Sequence, residues 1–252
     1  MNWKMFWTND GNPKLKNYLY NTRHIFCLLI VVVFCIGFSI LLKRKDEKWK
    51  KIFFTVIASI FLFFEISSRV VNLIITKEYS IEKISNILLP MYICSIVVWF
   101  LIIGLYTDNN IILEFATICG LIATTAFLLY PAVGLNRQYM TFTQLYSTIT
   151  HMLGFVTCIV MMTAHKVVFR TQDLPIILSI FIGMFLYGFL IDFYILPGND
   201  HMYLLNDPLE LKLPFNYRLL YGVVLFVYIC SFYIIPLIQN KIKERKTDGI
   251  KR

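Results

Sequence analysis

Charge is what this sequence has least of. Only 15% of its 252 residues are charged, and Asp and Glu together number 15. A soluble domain carries about 25% charged and roughly 45–50% apolar residues, whereas 58% are hydrophobic here. That excludes an ordinary soluble fold. Metal-ligand spacing is missing too. The six cysteines (Cys27, Cys35, Cys94, Cys119, Cys158, Cys230) make no C-x-x-C pair and no cluster with histidine. Neither a zinc site nor a disulfide framework is indicated, so no metal and no cofactor is expected. Internal repeats and low-complexity tracts are also absent. The net charge of +9 suits nucleic acid at first sight. However, the basic residues flank apolar runs, where they act as topology signals and meet anionic lipid. Membrane lipids are therefore the expected partners, nucleic acid is set aside, and protein partners cannot be read.

What is present is apolar sequence in long runs. About 20 helical residues cross roughly 30 Å of hydrocarbon. Seven runs meet that length: Ile25–Leu42, Ile52–Thr76, Ile84–Tyr106, Asn110–Tyr130, Phe142–His165, Leu174–Leu196 and Leu219–Ile238. In lipid the backbone must satisfy its own hydrogen bonds, and runs this long do so as helices. The expectation is an all-α polytopic bundle of about seven transmembrane helices. Residues 1–24 form a polar amino-terminal segment and 25–240 the transmembrane domain, with an outer loop at 197–218 and a basic cytoplasmic tail at 241–252. The first run is too long, and follows too much polar chain, for a cleavable signal peptide. Lys and Arg in Lys43–Lys51, after His165 and from Lys241 share one side. This predicts an N-out, C-in, multi-pass protein of the plasma membrane.

Ionisable residues inside spans are costly and mark a function or an internal pair. They are Glu65, Arg69, Glu114, His151 and Asp192. Glu65 and Arg69 are one helical turn apart and can pair. Counting residues from the outer edge puts Cys94, His151, Glu65, Arg69 and Asp192 in one outer layer, with Glu114 near the inner face. In the fifth run Gln144, Ser147, Thr148 and His151 recur at helical spacing as one polar stripe, with hydroxyls placed to fix the imidazole tautomer. In the third run Tyr92, Ser95 and Trp99 share a face beside Met91 and Cys94, and Pro90 is expected to bend the helix. His24 and His165 fall at span ends, where an imidazole stays wet. Cys94 and His151 at equal depth fit a nucleophile and its base, and equally a packing thiol with a hydrogen-bonded structural histidine. Both readings stay open on the residues alone.

The motifs resemble those of the bacterial YwaF-like integral membrane proteins, from His24 to about Tyr221. The correspondences are His24, Glu65, Leu89-Pro-Met-Tyr-Ile-Cys-Ser95, Gly120, Pro131, His151 and Gly198-Asn-Asp-His-Met-Tyr-Leu-Leu-Asn-Asp-Pro208. That family is similar, more distantly, to a eukaryotic Cys/His transmembrane phospholipid acyltransferase and to the androgen-inducible membrane hydrolases. The resemblance implies acyl transfer or ester cleavage on a lipid or other amphipathic substrate, with His151 as base. Aligned on the proline, the eukaryotic Cys and His fall on Met91 and Tyr92, and Cys94 lies one turn deeper. The catalytic candidates are thus His151 and Cys94. Substrate-binding candidates are Glu65, Arg69, Tyr92, Ser95, Thr148, Asp192, Asn199 and His201, the last three closing the outer entrance. The rival expectation is a non-catalytic small-solute carrier or a structural component of a membrane complex.

Overall fold

A computed structural model describes residues 3–8, 12–76, 79–131, 134–197, 200–201 and 217–250. Among these the regular structure is helical, apart from an isolated antiparallel bridge between Lys14 and Arg137. Six helices are long and apolar enough to cross a membrane, and one bent pair makes a seventh. The chain forms the all-α polytopic bundle that its sequence predicts. It divides at Val168 into two units.

The first unit holds α1 (Trp3–Thr8), α2 (Thr22–Lys43), α3 (Glu47–Ile75), α4 (Ile81–Leu88), α5 (Ile93–Thr107), α6 (Asn110–Leu129) and α7 (Phe142–Thr163). Side-chain caps set the starts of five of them. Asn21, Asp46, Ser80, Asn109 and Thr141 each accept from the amide three residues on, satisfying one orphan donor of the first turn. Asp46 also starts the second span at Glu47, earlier than the apolar run alone suggests. At α7 the cap is reciprocal, because the Gln144 side chain accepts from the Thr141 amide at 3.2 Å. Asp108, at φ 57°, closes the tight turn between α5 and α6.

α6 is the enclosed centre of this unit. Every residue from Leu113 to Gly120 is buried, so the helix has no solvent- or lipid-facing stripe over two turns. Gly120 explains how α7 comes so close. A Cβ there would stand 2.7 Å from the Cys158 sulfur and 3.2 Å from Val97, which fits the use of small residues where membrane helices pack tightly. α2 is the opposite case. Only His24, Val31 and Leu42 are buried along it, and Phe26, Leu29, Val32, Val33, Ile36 and Ile40 are exposed. That apolar outer face is what lipid covers.

The third span departs from a continuous run. α4 ends at Leu88, α5 begins at Ile93, and their axes differ by 44°. Pro90 is the reason: it has no N–H to donate, and its ring pushes Leu89 to an extended ψ of 144°. The bend expected from the sequence is a full break.

The second unit runs through a 3-10 turn (Thr171–Asp173), α8 (Leu174–Leu190), a π-helical turn (Ile191–Ile195) and α9 (Tyr217–Ile250). Phe169 packs on Phe232 and Tyr233 at ring separations of 5.2 and 6.1 Å. The basic segment expected as a tail from 241 continues α9 as far as Ile250.

Candidate functional site

The first polar centre is built on α3. Glu65 has no exposed surface, and a bare carboxylate at that depth is untenable. Its Oε2 pairs with the Arg69 guanidinium, as the i, i+4 spacing predicts, and its Oε1 accepts from the Tyr146 phenol at 2.5 Å. Arg69 donates further to the Glu65 carbonyl at 3.1 Å and to the Leu88 carbonyl at 3.2 Å, and its guanidinium lies 5.4 Å from the Trp99 ring centre. Leu88 is available because the Pro90 break leaves the last carbonyls of α4 without helical donors. One carboxylate and one guanidinium therefore fasten α3 to α4, α5 and α7. Ser68 and Asn72 extend the same face with a side-chain bond of 3.4 Å. Both carboxylate oxygens of this centre are engaged, as are Nε and Nη1 of the guanidinium.

The second centre is the α7 stripe. Gln144, Ser147 and Thr148 are buried and His151 is mostly so. The imidazole stacks on Phe127 of α6, with ring centres 4.0 Å apart and 14° between planes. Its Nδ1 lies 2.6 Å from the Ser147 carbonyl. A carbonyl only accepts, so Nδ1 carries a proton, and in the neutral ring Nε2 keeps its lone pair. The tautomer is fixed by the backbone of the preceding turn, not by the hydroxyls of the stripe as the sequence suggested. No described residue bonds Nε2.

Thr148, one turn away on the same face, also departs from the pattern of the chain. Helical hydroxyls here normally bond the carbonyl four residues back, as Ser59, Thr107, Thr117, Thr124, Thr150 and Thr157 do. The Thr148 hydroxyl does not; it is buried and has no partner among the described residues. It turns towards Gly134, where a Cβ would stand 2.5 Å from Thr148 Oγ1 and 2.5 Å from the Phe127 ring. Phe127, Gly134, Thr148 and His151 thus form one cluster holding a spare hydroxyl and a spare imidazole nitrogen.

A clasp covers this end of the unit. Residues 12–16 lie along the 134–141 loop through Leu15 N–H to the Asn136 carbonyl (2.8 Å) and Gln138 N–H to the Pro13 carbonyl (2.9 Å). Asn12 acts as a side-chain peptide: it donates to the Tyr139 carbonyl at 2.8 Å and accepts from the Tyr139 amide at 3.1 Å. Arg23 donates to the carbonyls of Arg137 and Gln138 at 3.1 and 2.8 Å. Asn136 in turn accepts from the Gln144 side chain at 3.3 Å. Beside the clasp the Tyr18 phenol is pushed up to about 12, chiefly by its hydrogen bond to Tyr130 and then by burial.

His24 belongs to the same end and corrects an expectation. It is not wet but 1% exposed. Its Nδ1 accepts from the Tyr20 amide at 2.9 Å, so its Nε2 carries the proton and donates to the Leu128 carbonyl at 2.7 Å. Leu128 is in the last turn of α6, where carbonyls lack helical donors.

The remaining candidates are distributed as follows. Cys94 sits within electrostatic range of Glu65 and Tyr146, and no hydrogen bond joins it to His151. Ser95 is half-buried beside it and Tyr92 is 53% exposed. In the second unit Asp192, on the π-helical turn, takes both the amide of His201 (2.8 Å) and its ring Nδ1. His201 is therefore buried and paired with Asp192. Asn199 lies outside the described residues. Glu114 is buried and accepts from the Asn110 side chain at 2.6 Å.

Sequence reasoning missed Tyr146, Phe127, Gly134 and Asn12. Tyr146 gave one usable signal, a phenol in an apolar run beside the polar stripe. Asn12 gave none, since its partner is 127 residues away. All six cysteines are free. In comparisons with known proteins, the model of the TMEM164 family matches residues 19–237. No curated protein and no solved structure matches the chain.

Proposed function

This chain belongs to the TMEM164 family, and we propose that it works on lipid acyl esters within the membrane, using the α7 face at His151 and Thr148. The observation that carries the reading is the pair of unengaged atoms on that face: a neutral imidazole Nε2 and a buried hydroxyl, both beside Phe127. Unpaired polar groups at such depth cost free energy unless a ligand or water completes them. In this scheme Nε2 removes the proton from an attacking hydroxyl, that of water or of an acceptor lipid, as its oxygen bonds to the acyl carbon. Thr148 donates to the acyl oxygen as it becomes negative. The proton on Nε2 then passes to the leaving alkoxide as the ester C–O bond breaks. A thioester on Cys94 is the less favoured route, because it needs the thiol bonded to His151. Glu65 and Arg69 hold the helices that carry the site, and direct contact with the head group is not part of their role here.

The reading includes an N-out, C-in, plasma-membrane placement, supported by the Lys and Arg excess in the 43–51 and 241–252 segments. The non-catalytic alternative, a carrier or structural component, draws support from the fully bonded Glu65 centre. One experiment separates them. Purified protein is incubated with diacyl lipids and a lysolipid acceptor, and acyl products are followed by mass spectrometry. The expected result is product formation that falls about 10²–10⁴-fold in His151→Ala, the usual contribution of a general base. Product formation that is unchanged in His151→Ala overturns the reading, while lipid bound without turnover supports the non-catalytic one.

A further inference from the structure

The clasp over α7 concentrates positive charge that no carboxylate among the described residues pairs with. Lys14 and Arg137 are partners in the antiparallel bridge, so their side chains leave the same face as directly opposed like charges, an arrangement that disfavours pairing. Lys16, two residues on, is exposed beside the same bridge. Arg23 is tied to the same loop through the Arg137 and Gln138 carbonyls. Arg137 also donates from Nη1 to the Asn12 carbonyl at 2.9 Å, which holds its guanidinium against the strap.

Three cations of this unit have a carboxylate partner: Lys50 with Glu47, Arg69 with Glu65, Lys166 with Asp108. Lys14, Lys16, Arg23 and Arg137 have no ion pair among the described residues. Residues 12–24 and 134–141 contain no Asp or Glu at all. Lys14 and Arg137 opposed across the bridge, Lys16 beside them and Arg23 tied to the same loop gather positive charge at one edge of the unit. Its place at the start of α2 and α7 and the end of α6 is where lipid head groups lie.

We propose that the clasp is a binding site for a phosphate-type anion, held by Lys14, Lys16 and Arg137 with Arg23 alongside. The anion is the head group of an anionic membrane lipid, or free phosphate. It bridges the opposed Lys14 and Arg137 and so tightens the strap on the loop. Because that loop carries Gly134 against Thr148 and Phe127, occupancy of the clasp holds the cover over His151 in place. The site is independent of the chemistry assigned to His151.

Thermal unfolding of the full chain in neutral detergent tests this, with phosphatidylglycerol, phosphatidylcholine or inorganic phosphate added. Lys14→Gln/Lys16→Gln removes two charges and touches no backbone bond of the clasp. Lys48→Gln/Lys51→Gln, both in the first turns of α3 at the opposite rim, is the control. Phosphatidylglycerol is expected to raise the Tm of the unaltered protein on the order of 5 °C at saturation. Phosphatidylcholine leaves it unchanged, the clasp variant loses the shift, and the control keeps it. A shift with inorganic phosphate alone identifies free phosphate as the source. If the double variant does not fold, Lys16→Gln alone is expected to weaken the lipid midpoint several-fold. No shift in either anionic arm overturns the proposal, as does a clasp variant that responds like the unaltered protein or a control that loses the response equally.

Discussion

The chain buries two imidazoles at one end of the same unit and treats them oppositely. His24 opens α2 with both nitrogens bonded, Nδ1 to the Tyr20 amide and Nε2 to the Leu128 carbonyl. His151 sits in α7 with Nδ1 bonded to the Ser147 carbonyl and Nε2 left open. Each stacks on an aromatic ring, Tyr20 at 5.1 Å and Phe127 at 4.0 Å. Stacking therefore does not distinguish them. The hydrogen-bond count does, and it assigns opposite tautomers: Nε2–H for His24, Nδ1–H for His151. A saturated histidine closes a helix end. An unsaturated one, next to the unpartnered Thr148 hydroxyl, keeps a place for something else. The Glu65 centre falls on the saturated side of this division, with Arg69 and Tyr146 on its two oxygens.

Substitutions sharpen the contrast in order of their expected cost. Glu65→Ala leaves the half-buried Arg69 charge without its carboxylate and is expected to destabilise by about 3–5 kcal/mol, read as a lower unfolding midpoint in detergent. His24→Ala strands the Tyr20 amide and the Leu128 carbonyl, at about 1–3 kcal/mol for each group. A midpoint unchanged in that variant would break the comparison from the saturated side. Tyr146→Phe removes one bond to a charged group, at about 1.5–3 kcal/mol, and in a double-mutant cycle its effect should not add to that of Glu65→Ala. Thr148→Val, which replaces a hydroxyl with no partner by a methyl of the same shape, is expected to be neutral or slightly stabilising. It should nonetheless reduce lipid turnover. A Thr148→Val protein destabilised as much as Tyr146→Phe would place Thr148 in the structural class.

The sequence made part of this legible. Long apolar runs dictate the helices, and Pro90 dictates the break at Leu88, because a missing N–H and a crowded ring act locally. The i, i+4 spacing of Glu65 and Arg69 dictates their pair, and the period of Gln144, Ser147, Thr148 and His151 dictates a shared face. What was not legible depends on which helix meets which. The Tyr146 phenol reaches Glu65 across 81 positions, and Asn12 reaches Tyr139 across 127. Nor does periodicity show a rotamer: six helical hydroxyls turn back to their own carbonyls and Thr148 does not. The burial of His24 follows from an orphan carbonyl of another helix, which no pattern around His24 announces.

Nitrogen-15 NMR of histidine-labelled protein tests the central claim most directly, with His24→Ala and His151→Ala used for assignment. The account predicts two neutral imidazoles of opposite tautomer in one spectrum, the bare Nε2 of His151 shifting when a diacyl lipid is added and both His24 nitrogens holding still. A protonated Nε2 at His151, or a lipid response confined to His24, would contradict it.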